Sequence, residues 1–214
     1  MGKKNFLNKI KHSILNWLIE MMKSMITKIY FETKRLIVRE YLKGDMAALF
    51  QIMSDNRVHT YTKDKNNPWD MRRTEEYISF ILEKKFTTLD NFHGAVIEKQ
   101  TNHLIGLCGL NPYKVNEPEI EWKLGVQYWG KGYATELGKQ MIKEAFATTC
   151  INGIYGMTQP ENVASRKVLE KIGMQYIGKQ EFRNQKYSFY YIANTTSSLP
   201  ISPSSGQPDP NFQN

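Results

Sequence analysis

The chain has 214 residues with 41% hydrophobic and 12% aromatic content, enough for one ordinary domain with a buried core and appendages, which excludes a disordered or fibrous protein. Two cysteines, Cys108 and Cys150, are too few for a disulfide framework, and Cys108 lies in the apolar run LIGLCGL, where a reduced, buried thiol is expected. A cytoplasmic protein is therefore expected. The formal charge of +8 is unevenly placed, so its location matters more than its total.

Residues 1–29 form a basic amphipathic extension. Within residues 1–28, Lys3, Lys4, Lys9, Lys11, Lys23 and Lys28 face a single acid, Glu20. Leu7, Ile10, Ile14, Leu18, Met21, Met22 and Met25 recur at helical spacing. The apolar run is broken at Asn16 and Glu20, which argues against a membrane span, and there is no small-residue cleavage site for secretion. The lack of arginine argues against a transit peptide, and Phe6 stands where a myristoylation motif wants Ser or Thr. Two readings stay open: a helix making weak contact with a membrane surface or docking a partner, or an extension without function, since Met21, Met22 and Met25 can each begin a chain. The charge outside this segment is unexceptional and calls for no specific nucleic-acid partner.

A single domain is expected over residues 30–192, with no internal repeat or dividing linker. RLIVRE (35–40) reads as a strand, and Asp45 is placed to cap a helix over MAALFQIM. Residues 61–70 form a polar loop, and residues 75–86 show helical spacing of Tyr77, Ile78, Ile81 and Leu82. FHGAVIE (92–98) and HLIGLCGL (103–110) flank the turn KQTN and suggest a hairpin. EIEWKLGV (119–126) is a further strand, residues 133–147 a helix, GIYGMT (153–158) a strand and residues 163–172 a helix, before two strands near 174–180 and 185–192. Such alternation predicts a mixed α/β fold with helices flanking the sheet and a ligand site where strands diverge and helix N-termini point inward. Residues 193–214, rich in Ser, Pro, Asn and Gly, read as a disordered tail.

The stretch GVQYWGKGYAT (125–135) joins a strand to a helix and places Gly130 and Gly132 around Lys131. Two glycines let successive backbone N–H groups approach an anion, and the helix dipole favours negative charge there. A Walker A loop is excluded, because Gly132 replaces the Ser or Thr that would hold Mg²⁺. A dinucleotide fingerprint fails because Thr135 occupies its third glycine position and no acid follows about twenty residues later.

Residues Trp129, Gly130, Lys131, Gly132, Tyr133 and Ala134 resemble the acetyl-CoA loop of the GNAT family of N-acetyltransferases, Q/R-x-x-G-x-G/A, departing only where Trp129 replaces Gln or Arg. The string YWGKGYATE (128–136) is similar to the branch of ribosomal-protein N-terminal acetyltransferases. PENVASRKVLEKIGM (160–174) resembles that family's N-x-x-S-x-x-x-L/Y-E-K-x-G-F segment, and ETKRLIVREY (32–41) its TERLxLR opening. The resemblance implies a central, mostly antiparallel sheet splayed between the fourth and fifth strands and flanked by about four helices. It also implies acetyl-CoA as co-substrate, without a metal, and transfer of acetyl to a primary amine by direct attack in a ternary complex. The expected acceptor is a protein N-terminal α-amine, with a small amine such as an aminoglycoside or polyamine as the alternative.

By the same resemblance Trp129 to Thr135 bind the pyrophosphate, Leu124, Val126 and Asn162 the pantetheine arm, Ser165 the departing thiolate, and Glu119 acts as base. Glu121, Lys123 and Val126 depart from the family strand EIGYWLAP, and Leu169 stands where many members carry an acidic tyrosine. The other open readings are a CoA-binding module without catalysis, and a membrane-surface or RNA-associated protein acting through residues 1–28. A monomer or homodimer is expected. His12, His59, His93 and His103 show no metal-ligand spacing, and Tyr61, Trp69 and Trp122 are candidates for the acceptor wall.

Overall fold

The computed structural model of the chain describes residues 27–62, 64–84, 86 and 88–195. The expected N-terminal helix, and nearly all of the expected tail, lie outside these residues.

Eight strands form one sheet in the order β1-β2-β3-β4-β5-β6-β8-β7, with β1 Ile29–Glu32, β2 Leu36–Arg39, β3 Phe92–Glu98, β4 His103–Lys114, β5 Glu117–Leu124, β6 Gly153–Thr158, β7 Gln175–Phe182 and β8 Gln185–Ala193. Among the described residues there are four α-helices: α1 Met46–Met53, α2 Met71–Lys84, α3 Tyr133–Thr148 and α4 Val163–Lys171. Every strand pairing is antiparallel except β5 with β6, whose one recorded register pair is Glu119 opposite Tyr155. Because β1 was not foreseen, the fourth and fifth expected strands are β5 and β6, and the sheet opens at that join.

Helices α1 and α2 pack together, with α1 on β4, while α3 lies against β1 and β5 and α4 against β6 and β7. Leu36, Val38, Ala95, Val96, Ile105, Leu110, Leu137 and Ile154 are wholly buried between these layers, as the alternation in β2 and the near-continuous apolar runs of β3 and β4 require. Cys108 is buried as expected, while Cys150 is exposed.

Two local expectations are corrected. Asp45 stands before α1 but does not cap it. Its carboxylate instead accepts both Arg39 guanidinium nitrogens, at 2.7 and 2.8 Å, and the Leu42 amide, because a bidentate charged pair is stronger than a single neutral cap bond. Helix α2 begins at Met71 rather than near residue 75, since Asp70 Oδ1 accepts the Arg73 amide at 2.7 Å and starts the helix one turn earlier.

Gly106 on β4 shows how closely β4 and β5 approach: a Cβ there would collide with the carbonyl of Lys123 and lie 2.9 Å from Leu124 Cα. Gly106→Ala is expected to destabilise the fold by about 1–3 kcal/mol, read as a lower denaturant midpoint with unchanged slope, because backbone must move to admit the methyl.

Candidate functional site

Strand β5 pairs with β4 so that Gly125 donates its amide to Ile105 at 2.9 Å and Leu124 lies opposite Gly106. Alternation along an antiparallel pair then turns the backbone groups of Ile120, Trp122 and Leu124 away from β4, toward β6. Past Glu119 the two strands part, so the backbones of Trp122 and Leu124 face the opening. A cavity of about 630 Å³ occupies it, walled by β5, the loop before α3, the start of α4, the loop after α1, and the β7–β8 turn.

The glycine loop enters this cavity. Gly130 and Gly132 have φ of 73° and 78°, where a residue with a side chain costs about 1–2 kcal/mol. Gly132 precedes α3, and the Glu136 amide returns to its carbonyl at 3.0 Å. The amides of Tyr133, Ala134 and Thr135, which helix geometry leaves without intrahelical partners, therefore sit at the positive end of the helix dipole against the cavity wall. Trp129 is half-exposed, and its indole Nε1–H donates to the Leu124 carbonyl at 2.8 Å, tying the loop to the end of β5. That bond gives the departure from Gln or Arg a physical role, which sequence alone did not suggest.

Of the expected site residues, Glu119, Leu124, Trp129, Gly130, Gly132, Tyr133, Ala134, Thr135, Asn162 and Ser165 share this one cavity. Val126 and Lys131 do not line it. Val126 packs against the core, and the Lys131 ammonium lies over the Tyr128 ring, 5.5 Å from its centre. Asn162 Oδ1 accepts the Ser165 amide at 3.1 Å, capping α4 and leaving its NH₂ as the part of the side chain able to donate to a ligand. Leu169 is buried, with a methyl closing on Gly156, and carries no proton to donate. Tyr61 and Trp122 line the cavity, whereas Trp69 is buried behind it.

The floor carries three charged groups on alternate residues of β5. Lys123 Nζ lies 2.6 Å from Glu121 Oε1, and Asn111 Nδ2 donates to Glu121 Oε2 at 3.0 Å. Burial alone would raise the Glu121 carboxyl, but Lys123, His93 and Asn111 together hold it down at about 2. Glu119 behaves oppositely: burial, then the charge of Glu121, push it up to about 8 against the opposing pull of Lys123 and Arg183. Two carboxyls on one strand face are thus split into a permanent anion and a group that exchanges its proton near neutrality.

The loop after α1 is held by a knot not read from the sequence. Asp64 accepts Arg73 at 2.8 Å and the Trp69 indole at 3.3 Å, while His59, fully buried, bonds the Met53 carbonyl at 2.7 Å. The signal available was only an Asp and an Arg nine residues apart, across a loop. Among the described residues no group of His, Cys, Asp or Glu is arranged to hold a metal ion, and no helix is long and apolar enough to cross a membrane.

A sheet that opens beside a glycine loop at a helix N-terminus defines a protein with a cleft suited to an extended anionic ligand. The model of the GNAT acetyltransferase domain matches residues 35–175, so the chain belongs to the GNAT family and is an acetyltransferase. It is 30% identical over 151 residues to YnaD, an uncharacterized N-acetyltransferase of Bacillus subtilis, covering 70% of this chain and 85% of YnaD. A GNAT-family acetyltransferase of Bacillus anthracis superposes with a TM-score of 0.68 at 26% identity, covering 79% of this chain and 99% of that one. Two more distant structures share the fold. They are the spermidine N-acetyltransferase of Vibrio cholerae, solved with CoA and spermine (TM-score 0.63, 21% identity, 75% and 96% covered), and the ribosomal-protein-S5-alanine acetyltransferase of Vibrio fischeri (0.63, 18%, 81% and 100%).

The residues present fit acetyl-CoA: Gly130 lines the cavity with open space where a Cβ would stand, and consecutive amides follow at the start of α3. Trp129→Phe keeps the ring but removes the bond to Leu124, and is expected to raise the Kd for CoA about threefold to tenfold in calorimetry, the loss of one hydrogen bond of roughly 0.5–1.5 kcal/mol.

Proposed function

We propose that this acetyltransferase moves the acetyl group of acetyl-CoA directly to a primary amine, with a protein N-terminal α-amine as acceptor and Glu119 as base. The observation that carries this reading is a carboxyl at the fork of the sheet, in the cavity that the glycine loop and Ser165 also line, where burial and the charge of Glu121 push it up to about 8.

An α-amino group, with a pKa near 8, needs far less help in losing its proton than a lysine side chain near 10.4. Glu119, directly or through a water, takes that proton as the amine nitrogen bonds to the thioester carbonyl carbon. The Leu124 amide, facing the opening, is placed to donate to the carbonyl oxygen as it gains charge. As the carbon–sulfur bond breaks, the sulfur leaves with the electron pair, and the Ser165 hydroxyl donates to it. Trp122 and Tyr61 shield the reacting end from water. Bound acetyl-CoA supplies the activated acyl group; everything else is done by these side chains and amides.

The balance of charge around the cavity supports a singly charged acceptor over a polyamine or aminoglycoside. Its lining includes Arg57, Lys123, Lys167, Lys171 and Arg183, but only Glu119 and Glu121 as acids. Glu121 is already paired with Lys123. A polycation would meet one unpaired carboxyl, and that one is needed as base.

Thiol release from acetyl-CoA across N-terminal peptides, free lysine, spermidine and an aminoglycoside tests the acceptor. The expected result is a kcat/KM for at least one peptide more than tenfold above every small amine; spermidine on top would overturn it. Glu119→Gln is expected to lower kcat about 10²-fold and Ser165→Ala about tenfold.

The pH dependence has a definite sign. A base works only when deprotonated, so activity should rise with pH through about 8. Glu121→Gln removes one of the charges that raise Glu119 and leaves Lys123 uncompensated, so the rising limb should move to lower pH. Titration of the acceptor amine is the same in both proteins, so it does not contribute to the displacement between them. Coincident profiles would rule Glu119 out.

A further inference from the structure

The opening motif ETKRLIVREY and the string YWGKGYATE lie about a hundred residues apart and come together at one point of the structure. Arg35, at the entry to β2, grips the glycine loop and the first turn of α3 in three ways. Its NH1 donates to the Lys131 carbonyl at 2.9 Å, its Nε donates to Glu136 Oε2 at 2.6 Å, and its guanidinium lies 4.2 Å from the centre of the Tyr133 ring. Glu136 is held from the other side as well. Its Oε1 accepts the Arg35 amide at 2.8 Å and the Thr33 hydroxyl at 2.6 Å. Tyr133 is fixed at its far end, where its hydroxyl donates to the buried Glu98 on β3, which also accepts Thr101 at 2.8 Å. Neither Arg35 nor Glu136 lines the cavity.

The arrangement has an electrostatic purpose. A loop that binds two linked phosphates must turn its amides toward them and its carbonyls away, and glycines at positive φ can turn either way. By taking the Lys131 carbonyl on the side of β2, Arg35 selects the orientation in which the following amides face the cavity. The carboxylate of Glu136 favours the start of a helix but repels a bound anion one turn away. Arg35 and Thr33 draw it onto β2 and neutralise it.

We infer that Thr33, Arg35 and Glu136 form a positioning clamp that pre-sets the glycine loop for the pyrophosphate of acetyl-CoA without touching it. This rests on the loop being the pyrophosphate site, as the proposed function has it. The clamp makes a specific demand on Glu136. If only charge mattered, Glu136→Gln, which removes an anion near the phosphates, would tighten CoA binding. If the clamp positions the loop, the same change weakens it, because the ionic anchor of Arg35 is lost.

The test is calorimetric titration of the full chain with CoA and with pantetheine, which lacks the pyrophosphate, for wild type, Arg35→Gln, Glu136→Gln and Thr33→Val. Wild type should bind CoA much more tightly than pantetheine; equal affinities would sink the loop assignment itself, separately from the clamp. Given that preference, Arg35→Gln is expected to raise the CoA Kd about tenfold to thirtyfold, Glu136→Gln about fivefold and Thr33→Val about threefold. Pantetheine affinity should stay unchanged in all three, and in turnover the loss should fall on KM for acetyl-CoA rather than on kcat. Thr33→Val exchanges the hydroxyl, which also accepts the Leu36 amide at 2.9 Å, for a methyl of similar size, so it answers the question even where Arg35→Gln fails to fold. Unchanged CoA affinity in these variants, tighter binding by Glu136→Gln, or an equal loss for pantetheine would each overturn the clamp.

Discussion

The architecture turns on one incomplete strand pairing. Six of the seven strand pairings are those of an ordinary antiparallel sheet, with five strands on one side of the break and three on the other, but β5 and β6 run parallel and meet at Glu119 and Tyr155 before diverging. Backbone groups in a buried sheet are normally satisfied by a neighbouring strand. Those of Trp122 and Leu124 face an opening instead, and the chain answers one of them itself by bringing the Trp129 indole back to the Leu124 carbonyl. A gap with unspent hydrogen-bonding groups, bounded by a helix N-terminus, is a receptor for an extended polar ligand, and the other features of the site are arranged around it.

The same fork explains how two similar carboxyls acquire different tasks. Glu119 and Glu121 are two residues apart on one face of β5, both withdrawn from bulk water. Glu121 has an ammonium and a carboxamide to share its charge, whereas Glu119 has none at bonding distance and feels its neighbour's anion. Coulomb coupling over such a distance in a poorly solvated site is strong enough to separate their titrations. Burial does most to raise Glu119, and the ion pair that departs from the family's strand pattern acts on both sides of that balance, Glu121 raising the carboxyl and Lys123 lowering it.

Order in the glycine loop has a different source. The glycines that allow amides to approach an anion also leave the loop free to point them elsewhere, so rigidity must come from outside the loop. Three neighbouring elements contribute: β2 through Arg35, β3 through Glu98 to Tyr133, and β5 through the Leu124 carbonyl to Trp129. None of the three is an edge strand of the sheet.

Local sequence determined the elements whose signals are local. The apolar runs of β3 and β4, the periodicity of α3 and α4, and the glycine loop before α3 were legible because burial and backbone freedom act within a few residues. The gathering of Glu119, Leu124, the loop and Ser165 was legible through family motifs rather than through spacing. Strand β1, four residues long, gave no periodic signal, and Asp45 was misread as a cap because its partner, Arg39, competes through a pairing that spacing alone does not rank. Only the tertiary structure decided that Glu121 would be neutralised and Glu119 left to titrate, that Val126 would turn into the core, and that Arg35 would meet Glu136 a hundred residues away. The reason is physical: charge coupling and hydrogen-bond competition depend on distances through space, which a chain acquires only when its sheet has closed.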